Sequence, residues 1–186
     1  MWLSAGAFGS VIVTLTELSP TRPVESVTVA VIRWLPMLNG DVDVADAIDP
    51  KTVALLGRVP TVEILETTGT QHYTFPMRLD VEPFGNLDLR MALKLAINRQ
   101  ELVDKILLGH GVAGNDIPVN PSMPFFNDQI AQREFNPDKA AEHYKKSGHS
   151  GPIKLSVADA AFAGAVDAGQ LIAASAKQAG IEIELV

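Results

Sequence analysis

The chain has 186 residues, enough for one medium domain or two small lobes, and 47% of them are hydrophobic, as is typical of a soluble globular protein. A net charge of −7 disfavours binding to nucleic acid or to an anionic membrane, because both attract a basic surface. The sequence contains no cysteine, which excludes disulfides and thiolate metal sites.

The first segment of the chain is apolar and predicts an extended β segment over residues 11–18. An export signal needs a basic region at its start, and no Lys or Arg precedes Arg22. Gly, Ser and Thr interrupt the apolar run, so it is too short and too polar for a membrane span. We therefore expect a strand here and see no signal peptide.

Short strands dominate the remainder of the first part of the chain. Residues 24–32 begin with alternating apolar and polar positions, and residues 62–65 alternate likewise, as a strand with a buried face does. Residues 42–45 predict a shorter strand. Between them, Asp49 followed by Pro50 predicts the N-cap and the first residue of a helix.

A connector containing Gly and Pro occupies residues 67–83. Upstream of it, short strands alternate with little helix, whereas helices dominate downstream. We therefore place the main boundary here, between a β-rich domain of residues 1–70 and a helix-rich domain of residues 71–186.

Two helices with apolar faces follow the connector. The first is predicted over residues 87–97. The second begins after Asn98, and Glu101 completes an Asn-x-x-Glu capping box. Gly109 is the expected left-handed stop of this helix. Residues 109–135 form a long loop rich in Gly, Pro and Asn, and loops of this length are usually functional.

The last part of the chain alternates helices and strands. Residues 136–148 predict a helix that Asn-Pro opens and Gly ends. Residues 153–157 and 181–186 alternate apolar and polar positions as strands do, and an Ala-rich helix is predicted between them over residues 166–179.

None of the motifs in the chain reaches the standard of a catalytic or metal site. The glycine-rich run from Gly109 lacks the Lys-Ser/Thr ending of a P-loop and follows a helix, whereas the dinucleotide fingerprint follows a strand. The four histidines show no metal-binding spacing, and Asp41, Asp43 and Asp46 lack the glycine and glutamate of a calcium loop. Because no nucleophile–base set can be identified, we predict no enzyme activity, no cofactor and no metal.

Five short segments occur in a distinctive order along the chain. They are NGDVDVA at 39–45, PF, LRMAL and AINR within 83–99, ILLGHG at 106–111, FNPDKA at 135–140 and GIEIEL at 180–185. Each is weak alone, but their order is specific. Together they resemble the signature of extracytoplasmic solute-binding proteins of the peptide/nickel ABC-importer family. Residues 72–78, 115–118 and 159–162 further resemble a peptide-binding branch of that family.

This resemblance implies a mixed α/β (α+β) chain that forms part of a type II periplasmic-binding-protein fold. The two-lobe architecture would be incomplete, with residues 1–70 as a β-rich piece of the first lobe and residues 71–186 as a helix-rich portion of the second. Family members are longer than this chain, and residues 1–23 match nothing in them securely.

The resemblance also implies a function and its partners. A bacterial protein of this family captures peptides or related small solutes in the periplasm, or elsewhere outside the cytoplasmic membrane, for delivery to ABC permease subunits. The alternative is a truncated, non-binding structural or interaction domain derived from such a protein. Apolar surface left open by the missing lobe would then favour self-association.

By the same resemblance, two segments of the chain face the ligand. Tyr73, Thr74 and Phe75 stand where the family's chain crosses between lobes, and Asp159 and Phe162 stand at the wall of the cleft. Asp159 would receive an amine and Phe162 would pack against an apolar side chain. The alternative for Asp159 is a role as N-cap of the following helix.

Two residues of the long loop are further ligand-binding candidates. Asn115 and Asp116 are expected either to line the cleft or to form a turn, which both residue types favour. Arg99 is expected to pair near the junction of the two helices. Arg90 is expected to be a structural anchor, because it lies inside a regular helix beside core positions.

Overall fold

The computed structural model describes residues 11–15, 44–45, 48–60, 62–66, 72–121 and 123–186. Their contacts divide into two units, a smaller one within residues 8–69 and a larger one that includes residues 70–186. The predicted strand at 24–32 and the acidic residues at 41, 43 and 46 lie outside the described residues. The assignment of the two units to two lobes stays a prediction.

Three strands and one helix make up the described part of the smaller unit. β1 (Val11–Leu15) pairs antiparallel with both β2 (Val44–Ala45) and β3 (Val62–Glu66), so β1 lies between them. α1 (Pro50–Leu56) buries Val53, which packs against Ile48 before the helix, Leu56 at its end, and Val62 and Ile64 on β3.

Asp49 caps α1, as the Asp-Pro pair predicts. Its carboxylate accepts hydrogen bonds from the backbone N–H groups of Lys51 at 3.0 Å and Thr52 at 3.1 Å, and from the Thr52 hydroxyl. Burial alone would raise the pKa of Asp49. The hydrogen bonds outweigh burial and hold this pKa below its ordinary value, because they stabilise the charged form.

Helices surround a short parallel sheet in the larger unit. Its described elements are α2 (Leu87–Leu95), α3 (Arg99–Lys105), α4 (Pro137–Ser147), β4 (Ile153–Leu155), α5 (Ala165–Lys177) and β5 (Ile183–Leu185). The largest fully buried side chains are Leu89, Ile97, Ile172 and Ile181, which belong to one core that α2 and α5 share with the ends of the sheet. No helix within the described ranges is long and apolar enough to cross a membrane.

Asparagine caps begin three of these helices. The side-chain oxygens of Asn86, Asn98 and Asn136 each accept a hydrogen bond from the backbone N–H three residues later, at 3.2, 3.2 and 2.9 Å. Two of these caps, Asn98 and Asn136, are predicted from the sequence. Their geometry is local, so residue type and spacing determine it.

The end of α3 confirms the predicted left-handed Gly109, but the helix is shorter than predicted. The helix ends at Lys105, a full turn before the predicted stop at Gly109. Leu108 and Gly109 both adopt left-handed backbone conformations, with φ of 51° and 86°, and the Gly109 N–H donates to the Val103 carbonyl at 3.1 Å. Two consecutive left-handed residues cannot continue a helix, so the chain turns here into the long loop.

β4 and β5 pair in parallel, with Ile153 opposite Ile183 and Leu155 opposite Leu185. Both strands are shorter than predicted. α5 connects them and packs closely on the sheet. The approach is so close that a Cβ on Gly169 would lie only 2.9 Å from Cγ1 of Val157. The glycine therefore sets how near the helix and the sheet can approach.

Candidate functional site

Three aromatic side chains from two distant segments meet in the larger unit. The rings of Tyr73 and Phe162 stack with centroids 3.9 Å apart and planes inclined by 14°. Phe75 meets Phe162 edge to face at 6.1 Å. We call these three residues the aromatic cluster. Tyr73, Phe75 and Phe162 are all predicted ligand-binding residues, and the structure brings them together.

Local backbone structure positions the cluster. Tyr73 and Phe75 lie two residues apart on a segment without regular secondary structure. Phe162 follows β4 after a turn that the Ala161 N–H closes by donating to the Ala158 carbonyl at 2.9 Å. This turn places Phe162 just beyond the carboxyl end of the strand.

A groove of about 610 Å³ opens beside the aromatic cluster. Residues 72–78, which include Thr74, line it together with β4 and its continuation to residue 158. Apolar side chains of the surrounding elements also line it: Phe84, Leu93, Ala165, Ile172 and Ile183. Its volume falls in the range of small-ligand sites.

The aromatic cluster also lines a second, smaller cavity of about 30 Å³, whose other walls include Leu102 and Arg99. Burial raises the pKa of Tyr73 above its ordinary value, because the phenolate would lose hydration there. The Tyr73 phenol therefore remains protonated at neutral pH.

Asp159 is exposed in the turn after β4, three residues before Phe162. The alternative role as N-cap of the next helix is wrong, because α5 begins at Ala165 and its N-cap is Gly164 with φ of 84°. No hydrogen bond or ion pair from the described residues engages the Asp159 carboxylate. The predicted ligand-binding role of Asp159 stays a prediction.

Asn115 braces the long loop. Its side-chain amide donates to the carbonyls of Ile130 at 3.3 Å and Ala131 at 3.0 Å, and its oxygen accepts from the Arg133 N–H at 2.7 Å. The side chain thus joins two arms of the loop. Its contacts here are internal, and a ligand-binding role for Asn115 stays a prediction.

Asp116 is buried at the base of the same loop, with only 4% of its side chain exposed. Its carboxylate accepts from Arg99 at 2.7 Å and from Arg133 at 2.6 Å, and the Lys94 ammonium lies 3.8 Å away. Arg99 is equally buried and also donates to the Lys94 carbonyl at 3.1 Å. Asp116 therefore ties the loop to the α2–α3 junction, where Arg99 was expected to pair. Its predicted contact with ligand remains untested.

Arg90 acts as the expected structural anchor. Its guanidinium donates to the carbonyls of Phe84 at 2.7 Å and Gly85 at 2.9 Å, immediately before α2. These bonds fix the turn that leads from the connector into the helix.

Sequence reasoning missed the residues that form the apolar side of the groove. Leu93 and Ile172 each lie in a predicted helix at a position typical of a core residue, and no pattern in the sequence indicates an open groove beside them. The alternating pattern of residues 153–157 was the available signal. It identifies a strand but does not reveal that one edge of that strand is open.

The comparisons with known proteins agree with the motif analysis. Residues 23–186 match the family model described as bacterial extracellular solute-binding proteins, family 5 middle. Heme-binding protein A of Haemophilus influenzae is 23% identical over 120 residues, and the dipeptide-binding protein of Escherichia coli is 21% identical over 119 residues. Each alignment covers 64% of this chain and 22% of the relative. The chain thus spans about a fifth of the length of these relatives.

A solved structure shows the same fold. The match to NikA from Brucella suis, in complex with Fe(III)-EDTA, has a TM-score of 0.51 at 15% identity and covers 59% of this chain and 24% of that one. The predicted type II periplasmic-binding-protein fold, in partial form and with mixed helices and strands, is confirmed.

Proposed function

Because the chain belongs to the bacterial extracellular solute-binding proteins of family 5, we propose that it binds peptides outside the cytoplasmic membrane. An ABC importer then takes up the captured peptide. The aromatic cluster at the wall of the groove carries this proposal. One relative is named a dipeptide-binding protein, which favours peptides as the solute class.

The residues around the cluster match the chemistry of a short peptide. The face of Phe162 and the apolar side of the groove accept an aliphatic or aromatic side chain, since aromatic surfaces contribute large apolar contact areas. The exposed Asp159 carboxylate receives the peptide's amino group. Thr74 and the protonated Tyr73 phenol offer hydroxyl groups for its polar atoms.

The position of the cluster is also typical of ligand sites. In open α/β sheets, ligands bind beyond the carboxyl ends of the strands. Asp159 and Phe162 follow the carboxyl end of β4, which pairs in parallel with β5. Binding makes and breaks no covalent bond, so the proposal requires no cofactor and no catalytic residue. Permease subunits receive the solute in the whole protein.

Isothermal titration calorimetry with a panel of dipeptides tests the proposal. We expect Ala-Phe and Gly-Leu to bind more tightly than Gly-Gly, because only the first two present an apolar side chain. Phe162→Ala should weaken binding of Ala-Phe by about tenfold, the loss of roughly 1.4 kcal/mol of aromatic contact. Phe125→Ala is the matched control, because Phe125 is 98% exposed and does not line the groove. The Phe125→Ala variant should bind Ala-Phe as tightly as the unmodified chain does.

A non-binding structural or interaction domain is the alternative to solute capture. The same titration separates the two candidates. Heat of binding that depends on Phe162 supports solute capture. The absence of heat for the whole dipeptide panel, from a chain whose circular dichroism shows it folded, supports the non-binding domain.

A further inference from the structure

Three cationic side chains surround the buried Asp116 carboxylate. Arg99 donates to its Oδ1 at 2.7 Å and Arg133 to its Oδ2 at 2.6 Å, and the Lys94 ammonium lies 3.8 Å from Oδ2. Within the ranges that the structure describes, no second carboxylate forms an ion pair with any of these cations. One negative charge therefore faces three positive charges, which leaves two positive charges uncompensated.

The three cations are largely shielded from water. Only 4% of the Arg99 side chain is exposed, against 23% for Lys94 and 28% for Arg133. Like charges repel more strongly where protein replaces water, because the effective dielectric constant falls. A second anion close to Lys94 and Arg133 would relieve this repulsion. These two cations are also the ones with enough exposed surface for an ion from solution to reach.

Lys94 and Arg133 both have hydrogen-bond donors to spare. At 3.8 Å from Asp116, the Lys94 ammonium is too distant for a hydrogen bond, and no other residue in the described ranges accepts one from it. Arg133 gives its Nε–H to Asp116, but on the terminal edge of its guanidinium Nη1 meets only the Met91 sulfur, at 3.8 Å. A thioether is a weak acceptor, whereas two oxygens of an oxyanion match this edge.

Backbone hydrogen bonds on both sides of Arg133 hold this edge in place. The Arg133 N–H donates to Asn115 Oδ1 at 2.7 Å. Three residues later, the Asn136 N–H donates to the Leu95 carbonyl at 2.9 Å, which joins the end of the long loop to the helical turn that carries Lys94. The two cations are therefore already positioned beside each other, and an ion that binds them has few side chains to immobilise.

We propose that Lys94 and Arg133 bind a dianionic oxyanion of the size of sulfate or hydrogen phosphate. Both side chains approach the same oxygen of Asp116, so one such ion can contact both of them. Its double charge matches the two positive charges that Asp116 leaves uncompensated. The bound ion accepts hydrogen bonds from the Lys94 ammonium and from the terminal edge of Arg133, and it strengthens the attachment of the long loop to α2.

This oxyanion site is distinct from the site proposed for peptides. Neither Lys94 nor Arg133 lines the groove or the small cavity beside the aromatic cluster. The net charge of the chain is −7, so the molecule as a whole repels an anion, and binding has to come from these local cations. The proposal therefore does not depend on which solute the protein captures.

NMR titration of the ¹⁵N-labelled 186-residue chain with sodium sulfate tests the proposal, with sodium chloride at equal ionic strength as the parallel titration. We expect the Nε–H signal of Arg133 and the amides of residues 93–95 and 132–134 to shift saturably with sulfate. Half-saturation should fall at about 1–10 mM, as suits an ion of only five atoms. Chloride carries a single charge and should give small shifts that do not saturate. If sulfate and chloride shift these signals alike, the proposal is overturned.

Two matched variants show whether Lys94 itself is responsible. Lys94→Gln removes one of the two cations, and Lys105→Gln removes the same charge from an exposed position on α3, where Lys105 pairs with Glu101. The first substitution should weaken sulfate binding by about tenfold or more, whereas the second should change it by less than about twofold. Equal sulfate affinities in the two variants overturn the proposal.

Urea unfolding provides a second readout. In the absence of sulfate, Lys94→Gln should not lower the urea midpoint of unfolding, because it removes a charge that two arginines repel. A lower midpoint would contradict the uncompensated charge and overturn the proposal. Sulfate also stabilises proteins by exclusion from their surface, an effect that the native chain and the variant share. Because binding stabilises the folded state further, the midpoint of the native chain should rise more with sulfate than that of Lys94→Gln. Equal rises in the two proteins overturn the proposal.

Discussion

Replacing Asp116 by Asn removes the negative charge that holds the base of the long loop. In the native chain this carboxylate accepts from Arg99 at 2.7 Å and from Arg133 at 2.6 Å. Arg99 and Asp116 are each only 4% exposed in their side chains. An Asn side chain keeps the shape and one acceptor oxygen, but it leaves the buried Arg99 guanidinium without its counter-charge.

The expected loss of stability follows from this burial. Removing one partner of a buried ion pair costs about 3–5 kcal/mol, because the remaining charge stays uncompensated. Arg133 is 28% exposed and retains partial hydration, so the lower end of the range, about 3 kcal/mol, applies. The free energy of unfolding falls by about 2 kcal/mol for each molar of urea, so the urea midpoint of unfolding should fall by about 1.5 M.

Urea unfolding monitored by circular dichroism at 222 nm measures this shift, because the helical signal comes mainly from α2 to α5 in the larger unit. Asp128→Asn is the matched control, since it removes the same charge from an exposed position of the same loop. Its midpoint should move by less than about 0.3 M. If Asp116→Asn shifts the midpoint no further than Asp128→Asn, the argument that Asp116 anchors the loop is refuted.

Three further predictions concern packing and ionisation. Gly169→Ala gains about 1 kcal/mol of helix propensity, but it forces a Cβ to within 2.9 Å of Val157. Because overpacking of this kind costs about 1–3 kcal/mol, we expect the urea midpoint of unfolding to fall. A higher midpoint would contradict the close packing of α5. Because the pKa of Asp49 is lowered in the folded chain, its carboxylate stabilises the fold above the ordinary pKa near 3.9, and this contribution is lost as pH falls through the pKa of the folded chain. Between pH 5 and pH 3, the free energy of unfolding should therefore depend less on pH in Asp49→Asn. An unchanged pH dependence would argue against the cap. Burial raises the pKa of Tyr73, so ultraviolet titration of a Tyr144→Phe variant should show a phenolate midpoint above 10, whereas a midpoint at or below 10 would place the ring in water.

Local features of the fold could be predicted from the sequence. The caps at Asn98 and Asn136 were predictable because a side chain and a backbone N–H three residues later decide them. The early end of α3 was not, because the left-handed conformation of Leu108 reflects how the loop leaves the helix rather than any preference of leucine. Likewise, the pattern of residues 153–157 predicted a strand, but regular pairing with β5 extends over only Ile153–Leu155.

The candidate site was predictable to a smaller extent. Resemblance to a family, and not residue physics, pointed to Tyr73 and Phe162, since nothing local indicates that the two segments meet. The N-cap alternative for Asp159 failed because Gly164 delays the start of α5. For Asp116, residue type favours a turn. Its burial depends on two arginines far along the chain, and a single sequence does not reveal such partners.

The most direct test of solute capture is an NMR titration of the ¹⁵N-labelled chain with the dipeptide Ala-Phe. The proposal predicts saturable shifts of the amides of residues 73–75 and 159–162, which surround the aromatic cluster, and little change in α4. No shift at millimolar dipeptide, or shifts confined to α4 or to residues 112–132, would contradict it.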